Sequence, residues 1–339
     1  MKVMLLPVLL LILQPATAQL DPGQLDAALQ SRQKLLGNNV VVMVWKDTLV
    51  YKKELGDFNS KTAAPIASSS KWLTAALVMQ FVDEGKLSLD DKVGRWLPEF
   101  DRYGKSYITL RNCLSHMTGI EDDANFLKKV FQRKKFASLE EEVNAYAARE
   151  IRNNPGTDFW YGAVGINIAG RVLEVVSKKR FDVLIKQKLF NPMAMRKTSF
   201  TTIDGGAVNP SGGANSTADD YMRFLVMLLN KGKLDGKQIL SEASVEMLMQ
   251  VQTKPSLIKY VPKVAEGFNY TLGSWAIEEQ NGKATALASP GLFGTWPMID
   301  FCRGYAYLAF AKTLLTDEKA GVQLELKKII DGQLKPSCP

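Results

Sequence analysis

Histidine and cysteine are scarce in this chain of 339 residues. His116 is the only histidine, which excludes a metal centre built on several histidines and leaves one residue for any Ser-His-Asp triad. The three cysteines, Cys113, Cys302 and Cys338, are too few and too widely separated for a cysteine-based zinc site or a disulfide scaffold. The sequence therefore predicts no metal site, and no cofactor is expected. In an oxidising compartment Cys302 and Cys338 could pair.

Long hydrophobic runs are also missing, except at the amino terminus, where the pattern is that of an export signal. Lys2 precedes ten apolar residues, MLLPVLLLIL, which are too few to span a bilayer comfortably. An A-T-A cleavage pattern then ends at Ala18. We expect residues 1–18 to be removed as a signal peptide. The mature chain is then expected to be periplasmic or secreted, without a transmembrane segment.

Strong charge bias is absent as well. Hydrophobic residues make up 46% and charged residues 23%, which excludes a disordered or low-complexity chain. The chain has 43 Lys and Arg residues against 35 Asp and Glu residues, which gives a net charge of +8. This excess is modest for the size of the chain, so nucleic acid is not expected as a partner.

Strand patterns lie at both ends of the mature chain, with helical patterns between them. An all-round apolar helix over Trp72–Val82 belongs in a core. This layout predicts an α/β (α+β) fold: an antiparallel sheet built from both chain ends, flanked by helices, with an inserted, mostly helical subdomain. Residues 19–339 would form one domain, divided into a sheet part, about 19–65 and 265–339, and a helical part, about 66–264.

The predicted elements follow from hydrophobic periodicity and from turn residues such as the Asn281-Gly282 pair. The predicted strands are 40–45, 48–53, Tyr270–Glu278, Lys283–Ser289, Thr295–Asp300 and Gly304–Lys312. The predicted helices besides Trp72–Val82 are Leu139–Arg149, Val164–Val176, Ala218–Asn230, Ser241–Gln250 and Asp317–Asp331.

A serine followed three residues later by a lysine can form a nucleophile and its activating partner. On a helix the two side chains share a face, so the lysine can accept or relay the serine proton. Only Ser68, paired with Lys71, stands where a loop enters a buried helix. There its own N–H points out of the helix start and can help to stabilise an oxyanion. The pattern also occurs, without that context, at Ser31/Lys34 and Ser256/Lys259.

Five segments in a fixed order resemble one family. They are IASSSK (66–71), FVDEGKLSLDDKVGRWLPEF (81–100), ITLRNCLSHMTGI (108–120), PGTDFWYGAVGINIAGRVLEVV (155–176) and SGGANSTADDYMRFLVMLLNKGKLDGKQIL (211–240). Together they resemble the serine β-lactamase and penicillin-binding superfamily. Within that superfamily the sequence resembles the class C-type branch, which comprises class C β-lactamases, related D-alanyl-D-alanine carboxypeptidases and β-lactamase-like esterases. The resemblance implies a β-lactamase/transpeptidase-like fold and a serine hydrolase.

The resemblance also implies roles for individual residues. Ser68 would be the acylated nucleophile, Lys71 the partner that lowers its proton affinity, and Tyr161 the shuttle to the leaving group. A tyrosine with a pKa near 10 is a poor base, so a neighbouring cation is needed. The backbone N–H groups of Ser68 and Leu292 would form the oxyanion hole. His116 has no G-x-S-x-G elbow to serve and is expected to be a hydrogen-bonded structural residue.

Two positions depart from the family pattern, and both lie among the candidate substrate-binding residues, Ala163, Ser289 and Gly291. Ala163 stands where the family often has asparagine, and it cannot hydrogen-bond a substrate amide. Ser289-Pro290-Gly291 aligns with a motif that is commonly Lys-Thr-Gly, or a histidine variant in esterase-like branches. Ser289 therefore replaces the cation that would meet a substrate carboxylate.

These departures rank an esterase or broad acyl hydrolase above a D-alanyl-D-alanine carboxypeptidase or a β-lactamase. The expected partner is a small ester, an amide or a cell-wall peptide. A non-catalytic binder of peptidoglycan or of a partner protein is a further alternative. The set of Ser68, Lys71 and Tyr161 argues against it, because a binder has no need of all three. The sequence leaves the natural substrate and the oligomeric state open.

Overall fold

The computed structural model describes residues 20–122, 136–201 and 205–338, so the expected signal peptide lies outside the described residues. The helices of these ranges are Pro22–Arg32 (α1), Ser70–Asp83 (α2), Pro98–Arg102 (α3), Leu110–Leu114 (α4), Leu139–Ala147 (α5), Val164–Ser177 (α6), Phe181–Ile185 (α7), Ala218–Leu229 (α8), Glu242–Met249 (α9) and Asp317–Asp331 (α10). None of the described helices combines the length and apolar character that a bilayer crossing requires.

The strands of the same ranges form one large sheet and three small ones. They are Val40–Lys46 (β1), Thr48–Leu55 (β2), Ala64–Pro65 (β3), Phe159–Trp160 (β4), Ser199–Phe200 (β5), Ala214–Ser216 (β6), Lys233–Leu234 (β7), Lys237–Gln238 (β8), Ile258–Tyr260 (β9), Asn269–Tyr270 (β10), Trp275–Gln280 (β11), Lys283–Ala288 (β12), Trp296–Asp300 (β13) and Tyr305–Ala311 (β14).

The large sheet joins the two ends of the chain, as predicted. Its strand order is β10-β11-β12-β13-β14-β1-β2, and every neighbouring pair is antiparallel. Strand β1 lies against β14, with Val40 opposite Ala311 and Trp45 opposite Ala306. The predicted fold class, a large antiparallel sheet flanked by helices, is confirmed.

Helices cover both faces of this sheet, which explains why β14 is apolar throughout. Tyr305, Tyr307 and Ala309 point to the face covered by α1 and α10. Leu308 and Phe310 point to the opposite face, where α2 and α8 lie. Since successive side chains of a strand alternate between faces, a strand covered on both sides has no polar positions. Helix α2 is buried on all sides from Ser70 to Phe81.

One predicted strand, Tyr270–Glu278, is interrupted. The structure has β10 and β11 instead, joined by a tight turn in which Gly273 has φ +87°. The Gly273 N–H donates to Leu114 O, and a Cβ at this position would lie 2.6 Å from Ala75 Cβ on α2. The turn therefore depends on contact with distant helices, which the local alternation of apolar residues does not reveal.

Cys302 and Cys338 form a disulfide that ties the carboxy-terminal tail to the turn between β13 and β14. The sequence separation is 36 residues, for which loop-closure entropy corresponds to roughly 3–4 kcal/mol. We expect a C302A/C338A variant to lose about that much unfolding free energy in urea denaturation. As a check on the pairing, thiol titration of denatured, unreduced protein should find one free cysteine, the buried Cys113. Three free thiols would contradict the bridge.

Candidate active site

Ser68 lies at the junction between a strained loop and the most buried helix. Ala67 has φ +45°, a left-handed conformation that costs an L-residue roughly 1–2 kcal/mol, and a short 3₁₀ turn from Ala67 to Ser69 leads into α2. The Ser69 hydroxyl donates to Ser289 O at 2.7 Å, which holds the turn against the end of β12. The strain at Ala67 is therefore offset by packing on both sides of Ser68.

Lys71 lies one turn into α2, with its amine against Ser68. Its Nζ donates to Ser68 Oγ at 3.1 Å and to Ser211 O at 2.8 Å. It also lies 4.9 Å from the centre of the Tyr161 ring. Ser68, Lys71 and Tyr161 are 5%, 2% and 6% exposed. The structure therefore brings the three candidate catalytic side chains together, and each of them is largely buried.

Burial raises the pKa of the Tyr161 phenol well above its ordinary value. Contact with the Ser68 hydroxyl acts in the opposite direction, and Tyr260 adds a smaller upward effect. Tyr161 is therefore protonated at neutral pH in the resting site, despite the amine beside its ring. A protonated phenol is suited to donating or relaying a proton, and is not suited to acting as a phenolate base in the resting site.

The candidate oxyanion donors are available. Within the described ranges, neither the Ser68 N–H nor the Leu292 N–H donates to another residue. Gly291 allows the segment that carries Leu292 to approach the Ser68 loop, since a Cβ there would lie 2.2 Å from Ile66 O. The segment is fixed by the Gly291 N–H, which donates to Thr295 O at 2.7 Å, and by Leu315 N–H, which donates to Leu292 O at 2.7 Å.

The two departures from the family pattern also lie near these groups. Ser289 is buried, and its backbone is held on both sides, by Pro297 O at 3.1 Å and by the Ser69 hydroxyl. By the alignment predicted from the sequence, its neutral hydroxyl takes the place of the cation that is common in the family. Ala163 follows Tyr161 by two residues, and its N–H donates to Asp122 Oδ2 at 2.7 Å. Neither side chain carries a charge toward a ligand.

His116 contacts the candidate site without touching Ser68. Its Nε2 lies 3.1 Å from Tyr270 Oη, and its ring centre lies 4.7 Å from that of Tyr161. Burial, and to a lesser degree the charge of Lys71, lower the pKa of His116 well below its usual range. The imidazole is therefore neutral, hydrogen-bonded and packed behind Tyr161, in line with the structural role expected from the sequence.

Several contacts of this site were not predicted from the sequence. Asp122 Oδ2 accepts from the N–H groups of Ala163 and Val164, at 2.7 and 3.3 Å, and so caps the start of α6 just after Tyr161. Ser211 supplies a backbone carbonyl to Lys71, and the buried Asn167 accepts from the Ser211 N–H at 3.0 Å. Asn167 and Ser211 lie within segments that resemble the family, but the segments do not show these contacts, since a backbone contact requires no particular side chain at Ser211.

A separate cluster of carboxylates lies beside the disulfide, formed by Glu278, Asp300 and Asp331. The Lys327 ammonium donates to all three, at 2.6, 3.1 and 2.6 Å, and so takes the position that a metal ion would need. Arg303 also pairs with Asp300 at 2.9 Å. The cluster is an ion-pair network that holds α10 to the sheet.

Several known proteins are similar to this chain in sequence or in fold. A curated Mycobacterium tuberculosis protein, described as uncharacterised, is 26% identical over 325 residues, covering 77% of this chain and 80% of that one. A solved β-lactamase-like protein from Bacteroides dorei is 28% identical, with a TM-score of 0.80, covering 92% and 99%. EstCE1, a hydrolase with promiscuous acyltransferase activity, shares the fold at 19% identity, with a TM-score of 0.72, covering 91% and 99%.

The family assignment follows from the extent of the match together with this fold. The Beta-lactamase family matches residues 25–329, which include every strand of the large sheet and all the candidate site residues. The large antiparallel sheet and the flanking helices agree with that match. The chain belongs to the Beta-lactamase family of β-lactamase-related and penicillin-binding-protein-like hydrolases.

Proposed function

We propose that this protein is an exported serine hydrolase that works through a Ser68 acyl-enzyme and prefers uncharged esters. The observation that carries the proposal is the distance of 3.1 Å between Lys71 Nζ and Ser68 Oγ. It is supported by the Ser68 and Leu292 N–H groups, which donate to no other described residue. Export is supported by the Cys302–Cys338 disulfide, because such bridges persist in oxidising compartments.

In the acylation step, Ser68 Oγ forms a bond to the acyl carbon of the ester. The Lys71 amine lowers the proton affinity of the hydroxyl through its hydrogen bond. The serine proton passes to Tyr161 as the phenol gives its own proton to the leaving oxygen, so that an alcohol departs as the C–O bond breaks. The N–H groups of Ser68 and Leu292 stabilise the negative charge on the carbonyl oxygen of the tetrahedral intermediate.

Deacylation uses the same groups in reverse. A water molecule adds to the acyl carbon, its proton returns through Tyr161 to Ser68 Oγ, and the carboxylic acid leaves. Because burial keeps Tyr161 protonated at rest, each step moves one proton into the phenol as another leaves it. No step requires an accumulated phenolate.

The preference for uncharged substrates rests on Ser289. Penicillins and D-alanyl-D-alanine peptides carry a carboxylate close to the scissile carbonyl, and a neutral hydroxyl holds it less tightly than a cation does. A charge-assisted hydrogen bond contributes about 1.5–3 kcal/mol, against roughly 0.5–1.5 kcal/mol for a neutral one. The missing charge therefore costs carboxylate substrates roughly 5–30-fold, whereas a neutral ester loses nothing.

We expect an aryl acetate or butyrate to be hydrolysed with a higher kcat/KM than a cephalosporin or a D-alanyl-D-alanine peptide. The S289K variant should narrow that gap, provided that the lysine leaves Leu292 in place. Measuring kcat/KM for the three substrates with both proteins tests the ranking. Faster turnover of the carboxylate substrates by the wild type would favour the peptidase or β-lactamase alternative. Binding of peptidoglycan without turnover of any of them would favour the non-catalytic one.

A further inference from the structure

The Ser211 carbonyl, which accepts a hydrogen bond from Lys71 Nζ, belongs to a turn rather than to a helix or strand. Ser211 lies between Asn209 and Gly213, and the N–H groups of Gly212 and Gly213 both donate to Asn209 O, at 3.2 and 2.8 Å. These bonds close the turn on itself. They do not fix its position relative to α2, which carries Lys71, so other contacts must do so.

Two fully buried side chains hold the peptide unit between Pro210 and Ser211. The Thr74 hydroxyl donates to Pro210 O at 2.7 Å, and Asn167 Oδ1 accepts from the Ser211 N–H at 3.0 Å. The described chain contains no cis peptide bonds, so the carbonyl and the N–H of this unit point in opposite directions. The unit is therefore held by α2 on one side and by α6 on the other.

The two contacts fix the turn relative to the helices that carry the candidate catalytic residues. Thr74 lies three residues after Lys71 and so shares its face of α2. Asn167 lies on α6, which begins just after Tyr161 and Ala163. Its amide is oriented by Tyr146, whose hydroxyl lies 3.5 Å from Asn167 Nδ2 and donates its own proton to Glu142 Oε1 at 2.7 Å. Oδ1 is thereby directed at Ser211.

We propose that Thr74 and Asn167 are positioning residues that hold the Ser211 carbonyl against Lys71 Nζ and so keep the amine on Ser68 Oγ. The inference rests on the proposed function, because it assigns Lys71 a part in acylation. The Ser211 carbonyl belongs to the next peptide unit, which is joined to this one at the Ser211 Cα. With either contact removed, the Pro210–Ser211 unit can rotate and shift the Ser211 carbonyl, which weakens its hydrogen bond from Lys71 Nζ. The effect falls on the chemical step, since neither side chain faces a substrate.

The main test uses Thr74→Val, which keeps the shape of the side chain and removes its donor. Losing one neutral hydrogen bond corresponds to about a 5- to 10-fold change. We expect kcat for a neutral aryl ester, and the rate constant for labelling by a fluorophosphonate, to fall by about that factor. KM should stay within about 2-fold, and Thr74→Ser, which restores the hydroxyl, should recover most of the rate.

A double-variant cycle tests whether the two residues act through the same peptide unit. Asn167→Ala alone should lower kcat by a similar factor. The T74V/N167A protein should lose less than the product of the two single effects, because the second change acts on a peptide that is already released. Rates are normalised to folded protein, and Thr198→Val serves as the matched control. Thr198 is a buried threonine whose hydroxyl donates to Asp220, away from Lys71.

The outcomes separate this inference from the proposed function. If the wild type is not labelled at all, the acyl-enzyme proposal fails, and this inference fails with it. If the wild type is labelled and Thr74→Val reacts at the same rate, only the positioning inference is overturned. A loss of kcat in Thr74→Val equal to that in Thr198→Val would also overturn it, because it would reflect stability alone.

Discussion

Replacing Ser68 with alanine is expected to abolish ester turnover and covalent labelling by a fluorophosphonate. The reason is chemical: the Ser68 hydroxyl receives a hydrogen bond from Lys71 Nζ at 3.1 Å, and the Ser68 N–H donates to no other residue of the described ranges. The measurement is kcat/KM together with intact-protein mass spectrometry after incubation with the probe. The wild type should gain the mass of one adduct, on the peptide that contains Ser68, and S68A should gain none.

The chain provides matched controls in its two other serine–lysine pairs. The Ser31 hydroxyl donates to Ala28 O on the exposed side of helix α1. Lys259 Nζ contacts the backbone carbonyl of Ser256, at 3.4 Å, rather than its hydroxyl. S31A and S256A should therefore turn over and label like the wild type. Turnover that survives in S68A, or is lost in either control, would refute the assignment of the nucleophile.

Lys71→Met and Tyr161→Phe are each expected to lower kcat/KM for a neutral ester by about 10²-fold or more, as for other positioned acid–base groups. Methionine keeps the length of the lysine stem but cannot donate to Ser68 Oγ. Phenylalanine keeps the ring packed against His116 and Trp275 while removing the proton that the leaving group receives. The loss should appear mainly in kcat, with binding of the ester little changed.

Two further variants show whether the effect is specific to the site. Lys259→Met removes the lysine of an exposed pair, and Tyr307→Phe removes a buried phenol that donates to Gln323 on the far face of the sheet. The first should have no effect, and the second should lower stability without lowering kcat of the folded protein. If Tyr161→Phe, like Tyr307→Phe, lowers stability without lowering kcat of the folded protein, the Tyr161 phenol has no part in proton transfer and contributes only to packing.

Much of the architecture was predictable because it depends on residues that are neighbours in the chain. The strands β1, β12, β13 and β14 and the helices α2 and α10 lie where hydrophobic periodicity places them. The Asn281-Gly282 pair forms the predicted turn, with φ of 53° and 77°. The proximity of Lys71 and Ser68 likewise follows from a spacing of three residues on a helix.

The sequence by itself therefore determined most of the long elements, the pairing of both chain ends in one sheet and the closeness of Ser68 to Lys71. Only the tertiary structure decided that Tyr161 lies over Lys71, that Ser211 presents a carbonyl to the amine, and that Thr74 and Asn167 hold it there. The physical reason is that these contacts join segments far apart in the chain, and several of them use backbone atoms. A backbone N–H or C=O is present at nearly every residue, so only its position in space distinguishes it.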